Sequence, residues 1–281
     1  MFPLLEMIRE LTEELQSAGI EQSRRESEEL IAHHLGLKRL ALYLQFDRPL
    51  IPSEVEGCRA LARRRSLGEP LQYIYGEIDF FGASIGVSPG VLIPRPETEL
   101  LVSRVAAELK GMSLIGGELL DLCSGSGCIG IALKKAHPAL QVTLSDLSSS
   151  ALAIAEENAR RNNVSLRLVQ GDLLNTLDRS FDFIVCNPPY ISNAEFPGLQ
   201  REVRDFEPYS ALVGGPTGLE FYERLSLDLG SALKSGGRAW LEVGALQGLA
   251  VEALFAGGPW ARRELSLDDA RILRFFSLER E

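Results

Sequence analysis

The sequence lacks long hydrophobic runs and export signals. Its 281 residues contain no stretch of about 18 apolar residues, so no transmembrane helix is expected. Residues 1–6 lack the basic start and apolar core of a signal peptide, which predicts a cytoplasmic location. Hydrophobic residues make up 45% and charged residues 24% of the chain, values typical of a globular protein. The length allows one large domain and a smaller one.

Residues that bind metals are scarce. The chain has three histidines and four cysteines, and neither set has the spacing of a ligand cluster. We therefore predict no metal site and interpret the cysteines as buried free thiols. They are Cys58, Cys123, Cys128 and Cys186.

Positive charge is also in deficit. Lysine and arginine total 29 against 39 aspartates and glutamates, a formal net charge of −10. This balance disfavours tight, sequence-independent binding to duplex nucleic acid, which depends on basic contacts to phosphates. Residues 59–65 are a local exception with four arginines. We interpret that segment either as a surface for an acidic partner or RNA, or as a solvated helix face.

What the chain does contain begins with helical patterns in residues 1–70. Apolar residues recur at helical spacing over 3–18 and 23–35, near 38–46, and from Pro52 to Gly68. These patterns predict a small helical bundle whose own core is modest. Aromatic and β-branched residues interleaved with glycines then predict a β-hairpin linker over residues 71–95.

An amphipathic helix is predicted to begin at Pro96. Proline suits the first position of a helix, and Glu97 and Glu99 suit its first turn. Capping of that helix is one role for the two carboxylates. Contact with a cationic ligand is the alternative.

From residue 118 the chain alternates between strands and helices. This order predicts an α/β fold with a doubly wound, mostly parallel, seven-stranded sheet. The strands are predicted at 118–123, 141–146, 166–170, 181–186, 237–243, about 260–266 and 271–277. The helices are predicted at 128–136, 149–162, 217–234 and 246–256.

A glycine-rich loop follows the first of these strands. Gly125, Gly127 and Gly130 have the spacing of dinucleotide-binding loops, in the required setting between a strand and a helix. Asp146 ends the next strand, where a carboxylate can accept both hydroxyls of a ribose. These features suit NAD and S-adenosylmethionine about equally, because the helix N-terminus can receive either a pyrophosphate or a carboxylate.

Two later features favour the methyl donor. Asp172 follows the third strand, where its carboxylate can accept the amino group of adenine. Asn187-Pro-Pro-Tyr190 follows the fourth strand, at the edge where open α/β sheets bind ligands. The Asn187 side-chain oxygen and the Pro188 carbonyl offer two acceptors beside a flat ring, which suits a planar NH2 group. A Pro-Pro turn that only ends the strand is the alternative interpretation.

Together these motifs resemble the class I S-adenosylmethionine-dependent methyltransferases. The motifs are Leu-Asp-Leu-Cys-Ser-Gly-Ser-Gly at 120–127, Asp146, Gly171-Asp172 and Asn187-Pro-Pro-Tyr190. The stretch over 75–99, which ends in Ile-Pro-Arg-Pro-Glu-Thr-Glu, is similar to the peptide chain release factor glutamine methyltransferases of the PrmC/HemK type. The likeness covers nearly the whole chain. It implies transfer of a methyl group from S-adenosylmethionine to the side-chain amide nitrogen (N5) of the glutamine in the Gly-Gly-Gln motif of class I release factors.

The resemblance also implies the site residues. Asn187, Pro188 and Tyr190 would be catalytic, and the same residues with Pro189 would bind the substrate. No metal is implied. The residues implied to bind the cofactor are Cys123, Ser124, Gly125, Ser126, Gly127, Asp146, Asp172, Leu173 and Asn187.

Two positions depart from the pattern of that family. Cys123 stands where a glycine is usual, and we expect a small thiol to be tolerated there if the backbone is not left-handed. Leu173 stands where an aromatic residue can flank the adenine. We expect the leucine to cover the ring with less stacking.

The predicted domains are a helical substrate-docking domain over 1–70, the hairpin linker over 71–95 and a methyltransferase domain over 96–281. The expected partners are class I peptide chain release factors, without a membrane and without stable binding of duplex nucleic acid. Three other functions remain open from the sequence. They are glutamine methylation of a ribosomal protein, amino-group methylation of adenine or guanine in nucleic acid, and nucleotide binding without catalysis.

Overall fold

The computed structural model describes residues 2–281, which form two compact units. The helical unit contains the chain up to Gly76 and the segment Arg201–Phe206. The sheet unit contains Glu77–Gln200 and Glu207–Glu281. These divisions differ from the predicted boundaries at 70 and 95, since the hairpin belongs to the sheet unit and a distant segment belongs to the helical unit. Within residues 2–281, the helices are too short or too polar to cross a bilayer.

Helices and strands alternate along most of the chain. The helices are α1 (Leu4–Ser17), α2 (Ser23–His34), α3 (Arg39–Leu42), α4 (Pro52–Ser66), α5 (Leu71–Tyr75), α6 (Pro96–Leu109), α7 (Cys128–Ala136), α8 (Ser149–Arg161), α9 (Arg201–Phe206), α10 (Tyr209–Leu212), α11 (Glu220–Ala232) and α12 (Gly248–Leu254), with a 3-10 turn at Phe196–Gly198. The strands are β1 (Phe2–Pro3), β2 (Pro49–Leu50), β3 (Glu77–Phe80), β4 (Ala83–Gly86), β5 (Glu118–Leu122), β6 (Gln141–Asp146), β7 (Arg167–Gln170), β8 (Phe181–Cys186), β9 (Ile191–Ser192), β10 (Val213–Gly215), β11 (Leu233–Glu242), β12 (Trp260–Leu267) and β13 (Leu273–Arg280).

The helical unit has its own apolar core. Leu4, Ile8 and Leu11 recur at three- and four-residue intervals, so α1 buries them on one face. Ile31 of α2 and Ala62 of α4 are buried in the same cluster. Amphipathic spacing therefore accounts for this bundle, as the sequence predicted.

Residues 71–75 are helical, which corrects the predicted extent of the hairpin. Pro70 precedes α5, and Gly76 ends it with a left-handed backbone (φ 76°), so the two residues delimit one helical turn. The hairpin itself consists of β3 and β4, in which Glu77 pairs with Gly86. The aromatic residues before Gly76 thus belong to a helix.

The arginines of α4 do not form one exposed basic face. Arg65 is only 3% exposed, and its guanidinium lies 2.6 Å from Glu26 Oε2 and 2.6 Å from Glu202 Oε1. Both interpretations of this segment are therefore wrong for Arg65, which is a buried ion-pair partner inside the helical unit. Among residues 2–281, Arg63 alone of the four arginines has no ion pair. The other pairs are Arg59 with Glu10 and Arg64 with Glu69.

Seven strands form the main sheet, in the order β12-β13-β11-β8-β5-β6-β7. β13 is antiparallel to both of its neighbours, and the remaining neighbours are parallel. The central strands are short apolar runs because such strands are buried on both faces: Leu120 of β5 and Ile184 of β8 are fully buried. The predicted doubly wound, mostly parallel sheet is confirmed.

The order of the strands reverses beside β5. The chain runs outward from β5 through β6 to β7, and β8 then returns to the other side of β5. Leu122 and Cys186, the last residues of β5 and β8, are paired in the ladder. The loops that follow them begin side by side, at the point where open α/β sheets bind ligands.

Candidate active site

A cavity of about 360 Å³ lies at the carboxyl ends of the central strands, within the sheet unit. Its volume is in the range of about 300–1,000 Å³ found for small-molecule sites. Loops after β5, β6, β7 and β8 all contribute to its wall. The residues predicted from sequence that line it are Cys123, Gly125, Asp146, Asp172, Leu173, Asn187 and Pro189.

The glycine-rich loop fits closely between β5 and α7. The Ser124 N–H donates to the Ser145 carbonyl at 3.0 Å, and the Gly130 N–H donates to Asp121 Oδ2 at 2.8 Å. A Cβ atom on Gly130 would lie 2.3 Å from Leu144 Cδ2. A larger residue would require the buried Leu144 side chain to shift, so close packing of α7 on the sheet accounts for the third glycine of the loop.

Cys123 adopts the left-handed backbone conformation, with φ 59°. The backbone is therefore left-handed, and the condition for tolerating a thiol at this position is not met. In this conformation the Cβ atom crowds the following carbonyl, at a cost of about 1–2 kcal/mol. The half-buried side chain packs against the core of the sheet unit. The loop keeps a conformation that glycine favours, with a strained residue in place of glycine.

Asp146 both holds this loop and faces the cavity. Its Oδ2 accepts the Gly125 N–H at 2.8 Å, and its Oδ1 accepts the Ser148 N–H at 2.9 Å. Burial raises the pKa of Asp146, and the backbone hydrogen bonds partly offset that rise. Each carboxylate oxygen has a further lone pair. Asp146 can therefore still accept hydroxyl groups of a ligand.

Asp172 and Leu173 form the part of the wall that follows β7. Asp172 Oδ2 lies 2.7 Å from Arg224 Nη2, an ion pair that the sequence did not predict. Leu173 is buried and left-handed, with φ 52°, and packs in the core of the sheet unit. The wall here combines a carboxylate that keeps one oxygen outside the ion pair with an apolar surface.

Three buried oxygen atoms around the loop have no hydrogen-bond partner within residues 2–281. They are Asp121 Oδ1, Ser124 Oγ and Ser145 Oγ. Buried polar atoms are normally paired. Of these three residues, Ser145 lines the cavity, so its hydroxyl is the one that a polar ligand there would meet. Burial also raises the pKa of Asp121 well above its usual value. Together with the Asp146 carboxylate and the Leu173 side chain, the Ser145 hydroxyl fits a ligand that carries hydroxyls, amino groups and a flat ring.

Asn187 follows β8 directly and lies half-buried at the edge of the cavity. Its Nδ2 donates to Thr98 Oγ1 at 3.1 Å. A few residues on, the Tyr190 carbonyl accepts from Gln247 Nε2 at 2.8 Å. Side chains from other elements thus form hydrogen bonds with the Asn-Pro-Pro-Tyr segment near both of its ends.

Thr98 and Glu242 are buried polar residues of the site that sequence reasoning missed. Thr98 Oγ1 donates to Glu242 Oε2 at 2.7 Å, and the two residues are 2% and 1% exposed. Burial raises the pKa of Glu242 to about 7, although the hydrogen bond from Thr98 opposes the rise. Thr98 belongs to the 93–99 stretch that carried the family resemblance, which was the available signal. Glu242 had only the signal of a carboxylate inside a predicted apolar strand.

Two other carboxylates of the sheet unit hold the backbone near the start of α6. Glu99 Oε1 accepts the Phe81 N–H at 2.7 Å, so this carboxylate holds the turn between β3 and β4 and makes no capping hydrogen bond to its own helix. Contact with a cationic ligand stays a prediction. Glu207, which the sequence did not identify, is buried, accepts the Ile93 N–H at 3.1 Å and pairs with Arg95. These contacts position the segment that carries Thr98.

The other predicted site residues lie behind the cavity wall. Ser124 and Ser126 are buried, and Gly127 precedes α7 as its N-cap with a left-handed backbone. Pro188 is buried, and Tyr190 is half-buried against the core of the sheet unit. Burial raises the pKa of the Tyr190 hydroxyl. The cavity wall therefore brings together seven of the predicted residues, while these five support it or lie beside it.

Two known families match separate parts of this chain, and known proteins match nearly all of it. The family described as the PrmC N-terminal domain matches residues 6–76, and the methyltransferase small domain family matches residues 96–200. The release factor glutamine methyltransferase of Chlamydia trachomatis serovar L2 is 42% identical over 276 residues, which cover 98% of this chain and 93% of that protein. The protein of the same name from Geobacter sulfurreducens is 42% identical over 243 residues, covering 86% and 84%.

Solved structures share the fold at lower identity. A ribosomal protein L11 methylase from Lactobacillus delbrueckii subsp. bulgaricus superposes with a TM-score of 0.52 at 23% identity, over 70% of this chain and 85% of that one. The 16S rRNA N2 G1207 methyltransferase of T. thermophilus, in complex with AdoMet and guanosine, gives a TM-score of 0.55 at 18% identity, over 73% and 50%. At such identities the likeness shows the methyltransferase fold alone.

Proposed function

Because this chain belongs to the release factor glutamine methyltransferase family, we propose that it methylates the glutamine of the Gly-Gly-Gln motif in class I peptide chain release factors. The methyl group comes from S-adenosylmethionine and goes to the N5 side-chain nitrogen. The observation that carries the proposal is the position of Asn187 on the wall of one cavity with Asp146 and Asp172. This arrangement supports the proposal, because Asn187 can accept from an NH2 group and the two carboxylates suit an adenosine.

The cavity residues fit S-adenosylmethionine by their chemistry. This cofactor supplies an electrophilic methyl group on a sulfonium. Asp146 would accept the ribose hydroxyls, and the free oxygen of Asp172 would accept the adenine amino group. Leu173 would cover the adenine ring, and the backbone of the loop at Gly125 would approach the methionyl part.

Asn187 and Pro188 act on the acceptor. The Asn187 Oδ1 and the Pro188 carbonyl accept the two amide hydrogens, which fixes the nitrogen for attack on the methyl group. As the new N–C bond forms, the N–H groups become more acidic. Both hydrogen bonds then strengthen, so they stabilise the transition state more than the ground state. Tyr190 packs beside the amide plane, and the surplus proton leaves to water after transfer.

The helical unit serves as the docking surface for the protein substrate. Every residue proposed for chemistry lies in the sheet unit, and residues 6–76 match a separate family domain. One glutamine loop buries too little area for specific recognition, which usually needs about 1,200 Å² or more. Arg63 is the exposed arginine of α4 that remains available for an acidic partner. A cytoplasmic location stays a prediction.

Transfer of labelled methyl groups tests this function. Purified release factor, ribosomes and DNA are offered in parallel with tritiated S-adenosylmethionine, and we expect label only on the release factor. Replacement of the glutamine in its Gly-Gly-Gln motif should abolish labelling. Label on ribosomes or DNA would assign the activity to another substrate, and no label on any acceptor would indicate a binding module.

Asn187→Ala tests the role of the amide. The change removes an acceptor that matters most in the transition state, so kcat should fall roughly 10²- to 10³-fold while cofactor affinity is kept. Asn175→Ala is the matched control, since Asn175 is exposed after β7 and outside the cavity wall. Equal kcat for Asn187→Ala and Asn175→Ala at saturating substrates would refute the positioning role.

A further inference from the structure

Asn187 is the first member of a buried chain of hydrogen bonds. Its Nδ2 lies 3.1 Å from Thr98 Oγ1, and Thr98 Oγ1 lies 2.7 Å from Glu242 Oε2. Thr98 and Glu242 are almost completely buried, so water does not compete for these bonds. Neither residue reaches the cavity wall. Asn187, which lines the cavity, connects them to it through these two hydrogen bonds.

The direction of this chain follows from the single proton of the threonine hydroxyl. An ionised carboxylate only accepts hydrogen bonds, so the hydroxyl of Thr98 must give its proton to Glu242. The Thr98 oxygen can then only accept from Asn187. The NH2 end of the Asn187 amide must accordingly face Thr98, and the opposite end, Oδ1, is left for a ligand.

We propose that Thr98 and Glu242 are positioning residues that orient the Asn187 amide so that its oxygen faces the substrate NH2 group. The inference rests on the proposed function, in which Asn187 accepts from the substrate amide. The oxygen and NH2 ends of an asparagine amide are nearly equal in shape. Only the hydrogen bonds from Thr98 and Glu242 therefore select one orientation. A rotated amide would present NH2 to NH2 and lose the acceptor.

Protonation of Glu242 allows this chain of hydrogen bonds to reverse. When the acid proton lies on the oxygen that faces Thr98, Glu242 donates to the Thr98 oxygen, and the Thr98 proton then turns toward Asn187, where it requires the amide oxygen. The amide rotates, and its NH2 end faces the substrate. Since burial brings the pKa of Glu242 to about 7, this change falls close to neutral pH.

Several other groups surround Glu242 and influence this equilibrium. Arg274 favours its ionised form, as does the hydrogen bond from Tyr190, while Glu97 favours the protonated form. The Tyr222 hydroxyl is bound to the Glu242 backbone carbonyl at 2.8 Å, and the Cys128 thiol is nearby. The groups come from these elements: Arg274 from β13, Tyr190 from the segment after β8, Glu97 from α6, Tyr222 from α11 and Cys128 from α7.

Three variants test this chain of hydrogen bonds, with kcat measured at saturating release factor and cofactor. Thr98→Val removes the hydroxyl at nearly constant volume, and we expect kcat to fall roughly 10- to 100-fold through misplacement of the acceptor. Thr98→Ser restores the hydroxyl and should keep kcat within about 3-fold of wild type. Thr143→Val is the matched control, because Thr143 is a buried threonine of β6 outside the cavity wall and should leave kcat unchanged.

The pH profile separates positioning from a merely structural role. In the wild type, kcat should fall about tenfold for each pH unit below the pKa of Glu242. Glu242→Gln cannot ionise, so its kcat should lose this inflection. Cofactor affinity should stay within about 3-fold in all variants that fold.

The outcomes distinguish the two proposals. A wild type that does not methylate release factor contradicts the proposed function. With an active wild type, equal kcat in Thr98→Val and Thr143→Val overturns the positioning role. If Thr98→Val does not fold, the pH profile decides instead, and an inflection retained by Glu242→Gln overturns it. Loss of the inflection together with rescue by Thr98→Ser supports it.

Discussion

The strained position of Cys123 allows a sharp test of the cofactor loop. Its φ of 59° places a side chain where glycine is favoured. Cys123→Ala keeps the Cβ atom and Cys123→Gly removes it, while both lose the sulfur, so their difference isolates the backbone strain. Relief of about 1–2 kcal/mol is opposed by roughly 0.4–1 kcal/mol, because glycine has more freedom in the unfolded chain. We therefore expect the glycine variant to be more stable than the alanine variant by about 1 kcal/mol.

The same alanine-to-glycine comparison in a helix should have the opposite sign. Ala132 is buried inside α7, and Ala132→Gly should destabilise the sheet unit by about 1 kcal/mol or more. Urea unfolding followed by tryptophan fluorescence suits both measurements, because the only two tryptophans, Trp240 and Trp260, lie in the sheet unit. An alanine at 123 that is as stable as glycine would refute the left-handed conformation of this loop.

Three further predictions follow from buried charges. Asp146→Ala should weaken S-adenosylmethionine binding by about 10- to 150-fold, since hydrogen bonds to a charged acceptor contribute roughly 1.5–3 kcal/mol; unchanged affinity by calorimetry would mean that the ribose is held elsewhere. The pKa of Glu242 is about 7 in the folded chain against a usual 4.5. Between these pH values the folded chain keeps a proton that the unfolded chain has lost, so the stability of the wild type decreases as the pH rises. Glu242→Gln removes this dependence, so its stability relative to wild type should increase by about 2.5 kcal/mol from about pH 5 to about pH 8; a constant difference in urea titrations would contradict the raised pKa. Arg65→Ala leaves Glu26 without its buried partner and should destabilise the helical unit by about 3 kcal/mol, while Arg63→Ala should change it by less than about 0.5 kcal/mol; equal helix melting curves by circular dichroism would refute the ion-pair assignment.

Local patterns determined most of the elements in this protein. The strand Phe181–Cys186 is a short apolar run stopped by two prolines, and α1 follows from apolar residues at helical intervals. Such signals act between neighbours in the chain, so they can be read without the fold. Residues 71–75 form a helix that their pattern does not reveal, because five residues are too few to show a helical period. The left-handed Gly76 ends that helix.

The candidate site was predictable where its residues follow strand ends. Cys123, Asp146 and Asn187 each come directly after or at the end of a strand, and parallel strands bring such positions to one edge. The conformation of Cys123 was not predictable, because a left-handed φ arises from the fit of the loop between β5 and α7.

The amino-acid sequence by itself determined the alternation of strands and helices, the motifs at the strand ends and the family. Only the tertiary structure decided which buried polar groups became partners. Thr98 and Glu242 are 144 residues apart, Asn187 and Thr98 are 89 apart, and Arg65 and Glu202 are 137 apart. No local pattern encodes these pairs, since they exist only because strand order and helix packing bring distant polar atoms together where water is excluded and each must find a partner.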